Sequence, residues 1–473
     1  MSSPIENQER PERSSFLGHV KDALSGRQHD YTKETLGRSI LLLAVPMVLE
    51  MMMESVFAVC DVFFVGRLGS EAVATVGLTE SLLTLIYAVA IGLAMATTAM
   101  VARRIGEDDA DGASLAATQA IGAGILISAA IGLPAAWFGP ELLGLMGASP
   151  GTVEVGGGYT SLLLGTNVVI LLLFLNNAVF RGAGDAVLAM KSLWIANGIN
   201  LILDPCLIFG LGPFPELGVT GAALATTIGR GTGVLFQFWM LRRGSGRVAL
   251  RGDALRFVPS VMLRLLRLSL GGIGQLLIQT ASWVALMRFV APFGADAVAG
   301  YTIAVRIIVF FLLPSWGLAN AAATLVGQNL GAGQPERAER AVWMTGRANM
   351  IALGLVTGAF LVFGDSMVGL FQDDTEVIAV GSRALRVIGY GYVVYAWGMV
   401  MMQAFNGAGD TTTPTWANLL AFWAFQVPLA WTLAHALGFG PEGVFWSVTL
   451  AETLLTAILI AVFRRGRWKE RVV

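Results

Sequence analysis

Three carboxylates, Glu50, Glu54 and Asp61, fall inside the first long apolar run of the chain. At about 100° per helical residue, Glu54 lies about 40° and Asp61 about 20° from Glu50, so one helix carries all three on one face. A second polar stripe, Asn197, Asn200 and Asp204, occupies another apolar run and spreads over about 60°. Pro205 follows it and removes one backbone donor, which permits a kink. Asn176 and Asn177 precede Arg181, and Thr226 and Thr227 follow the small-residue run GAALA at 221–225.

Ionisable groups at bilayer depth cost about 2.5–3.5 kcal/mol each on insertion scales, so they are functional candidates. Asp61, Asp204, Asn200, Asn177 and Thr226 are hard oxygen donors suited to coupling transport to H⁺ or Na⁺. If the ion is Na⁺, Asp61, Asn200, Asp204 and Thr226 are the expected metal ligands. Facing carboxylates at 61 and 204 would share one proton, or one Na⁺ in its place. A static polar network holding helices together is the competing reading. Glu50 and Glu54 sit in the methionine-rich stretch Met47–Met53, which suits either an adaptable apolar surface or ordinary packing. With Gln279, Arg306 and Tyr395 they are the candidates for a substrate cleft.

These residues need a membrane scaffold to position them. Of 473 residues, 55% are hydrophobic and only 13% charged, with mean hydropathy +0.69 and net charge −1. A soluble protein of this length needs a larger polar skin, and a nucleic-acid binder needs a basic face. Two cysteines in apolar runs and three histidines offer neither a disulfide framework nor a histidine metal site. We expect no cofactor, only a coupling ion. Twelve apolar segments approach the ~20 residues that span hydrocarbon: 39–66, 74–102, 113–137, 157–180, 190–210, 219–241, 264–290, 297–325, 343–365, 382–405, 412–437 and 443–463. The fold class expected is an all-α integral membrane protein.

Charge sets the orientation. Arg103, Arg104, Arg181, Lys191, the arginines of 242–267, Arg337, Arg340, Arg347 and the C-terminal basic residues share one side, which the positive-inside rule makes cytoplasmic. Residues 1–38 are polar, mixed in charge and without a signal-peptide core; they read as a mobile cytoplasmic tail whose end, from about Tyr31, lies on the membrane surface. The expected location is a cell inner membrane, with both termini cytoplasmic.

Four matched pairs share an offset of 225 residues: Gly69 with Gly294, Gly106 with Gly331, RGAGD (181–185) with NGAGD (406–410), and Gly218 with Gly443. The chain therefore reads as an N-lobe (39–241), a basic cytoplasmic linker (242–263), a C-lobe (264–463) and a C-terminal tail (464–473). Two pseudo-symmetric six-helix bundles leave a central cleft, the plan of alternating-access transport. The halves differ in chemistry. Leu286 stands 225 beyond Asp61, the region matching Asp204 is apolar (424–431), and the seventh span offers Gln275 and Gln279. Coupling is thus expected in the N-lobe alone.

AVPMVLE…FAVCDVFFVGRLG (44–69), RGAGD, NLILDP (200–205) and GVTGAALAT (218–226) resemble the multidrug and toxic compound extrusion family, over about residues 36–465. The resemblance implies a V-shaped pair of lobes and export of organic cations and other drugs against H⁺ or Na⁺. By position it implies coupling roles for Asp61, Asn177, Asn200, Asp204 and Thr226. Gln279 and Tyr395 stand where one branch carries C-lobe acids, which places this chain nearer the DinF-like branch. The implied partners are small-molecule drugs, organic cations above all, and the lipid bilayer; no nucleic acid is expected, and we expect a monomer and no enzymatic activity. A lipid-linked oligosaccharide flippase shares the plan, but its cleft needs several Arg or Lys to hold pyrophosphate.

Overall fold

The computed structural model describes residues 16–244, 246–250 and 256–471. Residues 1–15 of the tail, and Ser245 and 251–255 of the linker, lie outside the described residues. The described chain is helical throughout. After a short helix α1 (Phe16–Leu24) come α2 (Leu36–Val65), α3 (Ser70–Gly106), α4 (Ala110–Trp137), the short α5 (Gly139–Leu145), α6 (Pro150–Gly165), α7 (Val168–Ala183), α8 (Ala186–Phe209) and α9 (Gly218–Arg243). The second half holds α10 (Pro259–Val290), α11 (Ala295–Gly331), α12 (Pro335–Gly369), α13 (Thr375–Gly407), α14 (Thr412–Asn418), α15 (Val427–Trp431) and α16 (Pro441–Phe463).

Among the described residues, eleven stretches are long and apolar enough to cross a membrane, and α9 makes the twelfth. It is less apolar because glycines, threonines and the buried Arg230 displace aliphatic residues along it. The fourth span is two helices, α6 and α7, joined at Thr166–Asn167. The eleventh contains π-helical turns at Leu419–Gln426 and Thr432–Ala436 on either side of α15.

The 225-residue repeat is visible in the backbone. Gly69 and Gly294, each immediately before a long helix, have φ 101° and 105°; Gly184 and Gly409, in the two GAGD turns, have 87° and 84°. Both regions are open to glycine and strained for residues with a Cβ. The lobes cross-pack as the repeat requires: α2 against α11, α3 against α10, and α3 against α11 on the pseudo-two-fold axis. The closest approach is at the arginine-rich end, where a Cβ on Gly331 would stand 2.2 Å from the Arg103 carbonyl oxygen and one on Gly106 only 2.0 Å from that of Gln328. Further along, Gly92 lies against Gly272 and its repeat mate Gly317 against Met47.

The N-terminal segment departs from the sequence expectation. From Phe16 it is folded, and Tyr31, expected on a membrane surface, is buried. Its hydroxyl donates to the Gly184 carbonyl at 3.0 Å, while Arg337 donates to the Tyr31 carbonyl at 3.1 Å. Polar composition suggested mobility, but these residues spend their polarity on the helix-connecting turns of both halves. The C-terminal segment behaves alike. Arg471 pairs with Asp410 at 3.3 Å, and its carbonyl accepts from Arg103 of α3.

Candidate functional site

Helices α2 and α8 run side by side in one register. Asn197 Nδ2 donates to Glu54 Oε2 at 2.9 Å, and Trp194 Nε1 to the Leu49 carbonyl at 3.1 Å. The offset that pairs 54 with 197 pairs 61 with 204, so Asp61 and Asp204 come opposite one another two turns further on. They lie within electrostatic range. Asp204 is fully buried. The Asn200 amide, oriented to satisfy both of its ends, donates to Asp204 Oδ2 at 2.9 Å. Its oxygen accepts from the Thr226 N–H at 3.0 Å and hydroxyl at 3.1 Å. The structure thus brings Asp61, Asn200, Asp204 and Thr226 together.

Asn177 belongs elsewhere. Its Nδ2 donates to Glu50 Oε1 at 3.0 Å, and Arg181 Nη1 donates to the same oxygen at 2.7 Å. Gln237 ties this group to α9 by donating to Asn177 Oδ1 at 2.7 Å and accepting from Asn176 at 3.2 Å. Thr324 of α11 donates to the Arg181 carbonyl at 3.0 Å, linking the cluster to the other half. Glu54 has its own cation, Arg230 Nη2 at 3.4 Å. The Arg230 guanidinium also stands over the rings of Phe57 (5.5 Å) and Tyr87 (5.8 Å), favourable cation–π placements. Glu50 and Glu54 were expected to line a substrate cleft; in the structure each is paired with an arginine from another helix. Single-sequence periodicity could not supply those long-range partners, although Arg181 and Arg230 are themselves conspicuous charges in apolar runs.

Between the lobes lies a cavity of about 240 Å³. Glu50, Glu54, Asn177 and Arg181 form its polar N-lobe wall, with Tyr87 and Phe174 beside them. Trp316, Asn320, Gln403 and Asn406 face them from α11 and α13. The opposite wall is uncharged: Gln275 donates to Asn406 Oδ1 at 3.0 Å, and Asn406 to Gln403 at 3.1 Å. A pocket with apolar walls and a few convergent polar groups suits a small amphiphile. Met51 and Met95 also line it, whereas Met47 is packed between the lobes.

Of the cleft candidates, Gln279, Arg306 and Tyr395 do not line this cavity. Gln279 lies beside the Tyr395 hydroxyl within the C-lobe, and Arg306 is exposed, in electrostatic range of Glu80. One buried acid was missed from the sequence: Glu452 of α16, in the C-lobe. The signal was there, a lone acid in the apolar run 443–463. Cys60 and Cys206 are both free, and among the described residues no three His, Cys, Asp or Glu cluster as a metal centre.

Twelve helices in two repeat-related lobes, with paired charges around a central cavity, are the plan of a membrane transporter. The MatE family pattern matches residues 46–206 and 273–432, and the chain belongs to that family of transporters. It is similar to "Probable multidrug resistance protein YoeA" of Bacillus subtilis, 24% identical with 93% of this chain and 96% of the relative covered. It is also similar to a FAD transporter of Shewanella oneidensis, 26% identical over 88% and 91%. A solved structure described as the outward-facing conformation of a multidrug resistance MATE family transporter matches with TM-score 0.87 at 25% identity, covering 93% and 98% of the two chains.

Proposed function

We propose that this protein exports amphiphilic organic compounds, organic cations among them, by exchange for protons through alternating access. The arginine-rich face is cytoplasmic in this reading. The observation that carries it is a separation along one helix pair. Glu50 and Glu54, held by arginines, line the inter-lobe cavity, whereas Asp61 and Asp204 lie two turns away, about 10 Å along the axis, with no arginine bonded to either. Substrate and coupling ion then occupy different levels of the same helices, and α2 couples them. Proton uptake at the Asp61–Asp204 pair repacks α2 and weakens the substrate wall; proton release on the other side restores it.

The pair fits a proton when the Asn200 amide is oriented to satisfy both of its ends. The Asn200 amide turns its nitrogen towards Asp204 and gives its oxygen to Thr226, so it presents N–H rather than a carbonyl ligand to the carboxylate. Glu50 Oε2 has no hydrogen-bond partner, and Trp316, Tyr87 and Phe174 offer ring faces, which together suit a cationic amphiphile. A flippase of pyrophosphate-linked lipids is disfavoured because the cavity's arginine, Arg181, is already paired with Glu50.

One charge moved across 100 mV is worth about 2.3 kcal/mol. At about 1.4 kcal/mol per tenfold, one coupled proton supports roughly a 40-fold gradient of an uncharged substrate from voltage alone, whereas exchange for a monovalent cation such as ethidium moves no net charge and draws on the pH difference only. The test is transport of ethidium in proteoliposomes with Na⁺ and pH gradients varied separately. We expect a response to the pH gradient that Asp61→Asn and Asp204→Asn each abolish. Undiminished ion-driven transport in both variants would refute the coupling site, and a response to Na⁺ alone would refute the ion.

A further inference from the structure

A second cavity, of about 640 Å³, lies at the arginine-rich end of the molecule among α3, α4 and α10. Its polar lining is Arg104, Asp109, Asp111, Arg256, Ser260 and Arg264. Two of these charges are committed. Asp109 caps α4 by accepting from the Gly112 N–H at 2.8 Å, and Arg104 reaches Glu107 at 2.9 Å and Asp109 at 3.6 Å. Among the described residues, the side chains of Asp111, Arg256 and Arg264 have no hydrogen-bond or ion-pair partner. Arg256 is nonetheless fixed in place by its backbone. Buried Gln119 of α4 donates to the Arg256 carbonyl at 2.8 Å and accepts from the Val258 N–H at 3.1 Å. No side chain caps the start of α10, so the positive end of that helix also meets the cavity at Ser260.

The same place exists in the second half, where α11, α12 and α2 are the repeat mates of α3, α4 and α10, and there the chain fills it itself. Glu336, the mate of Asp111, is met by the Lys469 ammonium of the C-terminal segment at 3.9 Å, with Glu339 beside it at 2.6 Å from the same nitrogen. Tyr31, the mate of Arg256, is buried, and its carbonyl accepts from Arg337 at 3.1 Å. The first-half copy keeps the carboxylate but receives no ammonium from the described chain, and it adds two open guanidiniums. A guanidinium fork matches the oxygens of a phosphate. A phosphate joined by a short linker to a primary ammonium therefore meets all three open charges. The surroundings indicate which molecule carries that pair. Phe257, Leu263 and Leu270 are exposed beside the cavity. Leu263 and Leu270 lie about 20° apart around α10 and about 10 Å apart along it. An apolar stripe that runs down a membrane span from a basic pocket at its end suits a lipid, with the headgroup in the pocket and the chains on the stripe.

We propose that the cavity among α3, α4 and α10 binds the headgroup of an ethanolamine phospholipid: Arg256 and Arg264 hold the phosphate, Asp111 accepts from the ammonium, and the acyl chains lie along the Leu263–Leu270 face of α10. A choline headgroup presents the same phosphate but has no N–H to donate, and a glycerol headgroup has no cation for Asp111. The site joins the two halves, since α4 belongs to the first and α10 opens the second. A bound lipid ties them together at the end where Gly106 meets Gly331. Neither the transported substrate nor the coupling ion enters this assignment.

The test is native mass spectrometry of the purified full-length protein, delipidated in detergent and titrated with phosphatidylethanolamine, phosphatidylcholine and phosphatidylglycerol of identical chains. We expect the first ethanolamine lipid to bind roughly fivefold more tightly than either of the others, the worth of about one added hydrogen bond to a charged group at an exposed site. Asp111→Asn should erase the preference over choline and leave phosphatidylcholine binding as it was. Arg256→Ala combined with Arg264→Ala should weaken binding of the ethanolamine lipid roughly tenfold or more, whereas Arg267→Ala, on α10 but outside the cavity, should not. These four side chains are exposed, and melting temperatures check that each variant is folded. Equal affinity for the ethanolamine and choline lipids, tightest binding of phosphatidylglycerol, a preference that survives Asp111→Asn, undiminished binding in the double arginine variant or an equal loss in Arg267→Ala would overturn the assignment. Displacement of the lipid by an equal concentration of O-phosphoethanolamine would overturn it too, by marking the ligand as a soluble one.

Discussion

The contact between Gly106 and Gly331 makes a conformational prediction with a magnitude. These two glycines are repeat mates, and they meet where the lobes come closest. A Cβ at Gly331 would lie 2.2 Å from a backbone oxygen and 2.9 Å from the Gly106 Cα. Ordinary carbon contacts begin near 3.5 Å, so the helices must separate by about 1 Å to admit one methyl group. Both neighbours are backbone, so no side chain can swing aside. Overpacking of this kind costs about 1–3 kcal/mol. In an alternating-access cycle that cost falls only on the state in which these ends touch. Gly331→Ala should therefore shift the population towards separated ends by roughly 5- to 140-fold, at about 1.4 kcal/mol per decade.

The shift is measurable with spin labels at Glu107→Cys and Ala332→Cys, which flank the contact on either lobe, in a background with Cys60 and Cys206 replaced by serine. Electron–electron distance distributions should move from a short towards a long component in Gly331→Ala and further in Gly331→Leu. Gly77→Ala is the control: it lies in α3 with nothing within 4 Å of its Cβ position, so it gains helix propensity without a clash. If Gly331→Ala and Gly331→Leu show the same distribution as the wild type, with unchanged transport, the lobes do not separate at this contact and the closure argument fails.

Three further outcomes follow from the site. Glu50→Gln leaves Arg181 buried without its counter-charge, which costs about 3–5 kcal/mol; adding Arg181→Asn reproduces the Gln275–Asn406 amide pair of the other lobe and should recover most of the lost thermal stability, whereas a double variant no better than the single would refute the pairwise account. Burial pushes the Asp185 carboxyl in the first GAGD turn up from 3.8 to about 6, against the pull of the Arg247 N–H and guanidinium; the folded state then binds that proton more tightly than the unfolded one, so stability from this group falls as pH rises from about 4 to about 6 and is level above. Asp185→Asn should flatten that part of the melting-temperature profile, and an unchanged slope would sink the assignment. Tyr31→Phe removes the bond to the Gly184 carbonyl and should cost about 0.5–1.5 kcal/mol by thermal melting, since that segment is part of the fold; no change would mean that the contact contributes nothing.

The elements were legible because apolar runs of membrane length leave little choice of structure, and the 225-residue offset survives as matched positive φ values at Gly69 and Gly294. The polar stripes were legible too, since helical periodicity places Glu54 and Asp61 on one face, and the structure sets that face against Asn197 and Asp204. What periodicity lacks is the partner on another helix. It gave Asn177 to the ion cluster, whereas Asn177 bonds Glu50; it left Glu54 an unpaired acid, whereas Arg230 holds it. Glu452 escaped for a related reason. Comparing only positions matched to the N-lobe acids found Leu286 and Gln279, while the C-lobe's acid had moved to a helix where its mate is a threonine. The break at Thr166–Asn167 was hidden because both flanking stretches are equally apolar.

The repeat keeps the scaffold and changes the chemistry, position by position. Glu50 and Arg181 become Gln275 and Asn406, and in both lobes the two side chains bond to each other across the same helix pair. An ion pair is replaced by amides that hold the geometry without charge. A backbone duplicated in this way leaves one cavity wall sensitive to proton and substrate charge and the other fixed in polarity. Under the proposed proton exchange, that asymmetry confines the charge response to one wall. If both walls carried titratable pairs, each proton would act on substrate affinity from two sides at once, and the energy of one coupled ion would be divided between them. With charged pairs on one wall only, protonation along α2 changes a single face of the cavity, and the amide wall supplies a constant reference against which substrate is held or released.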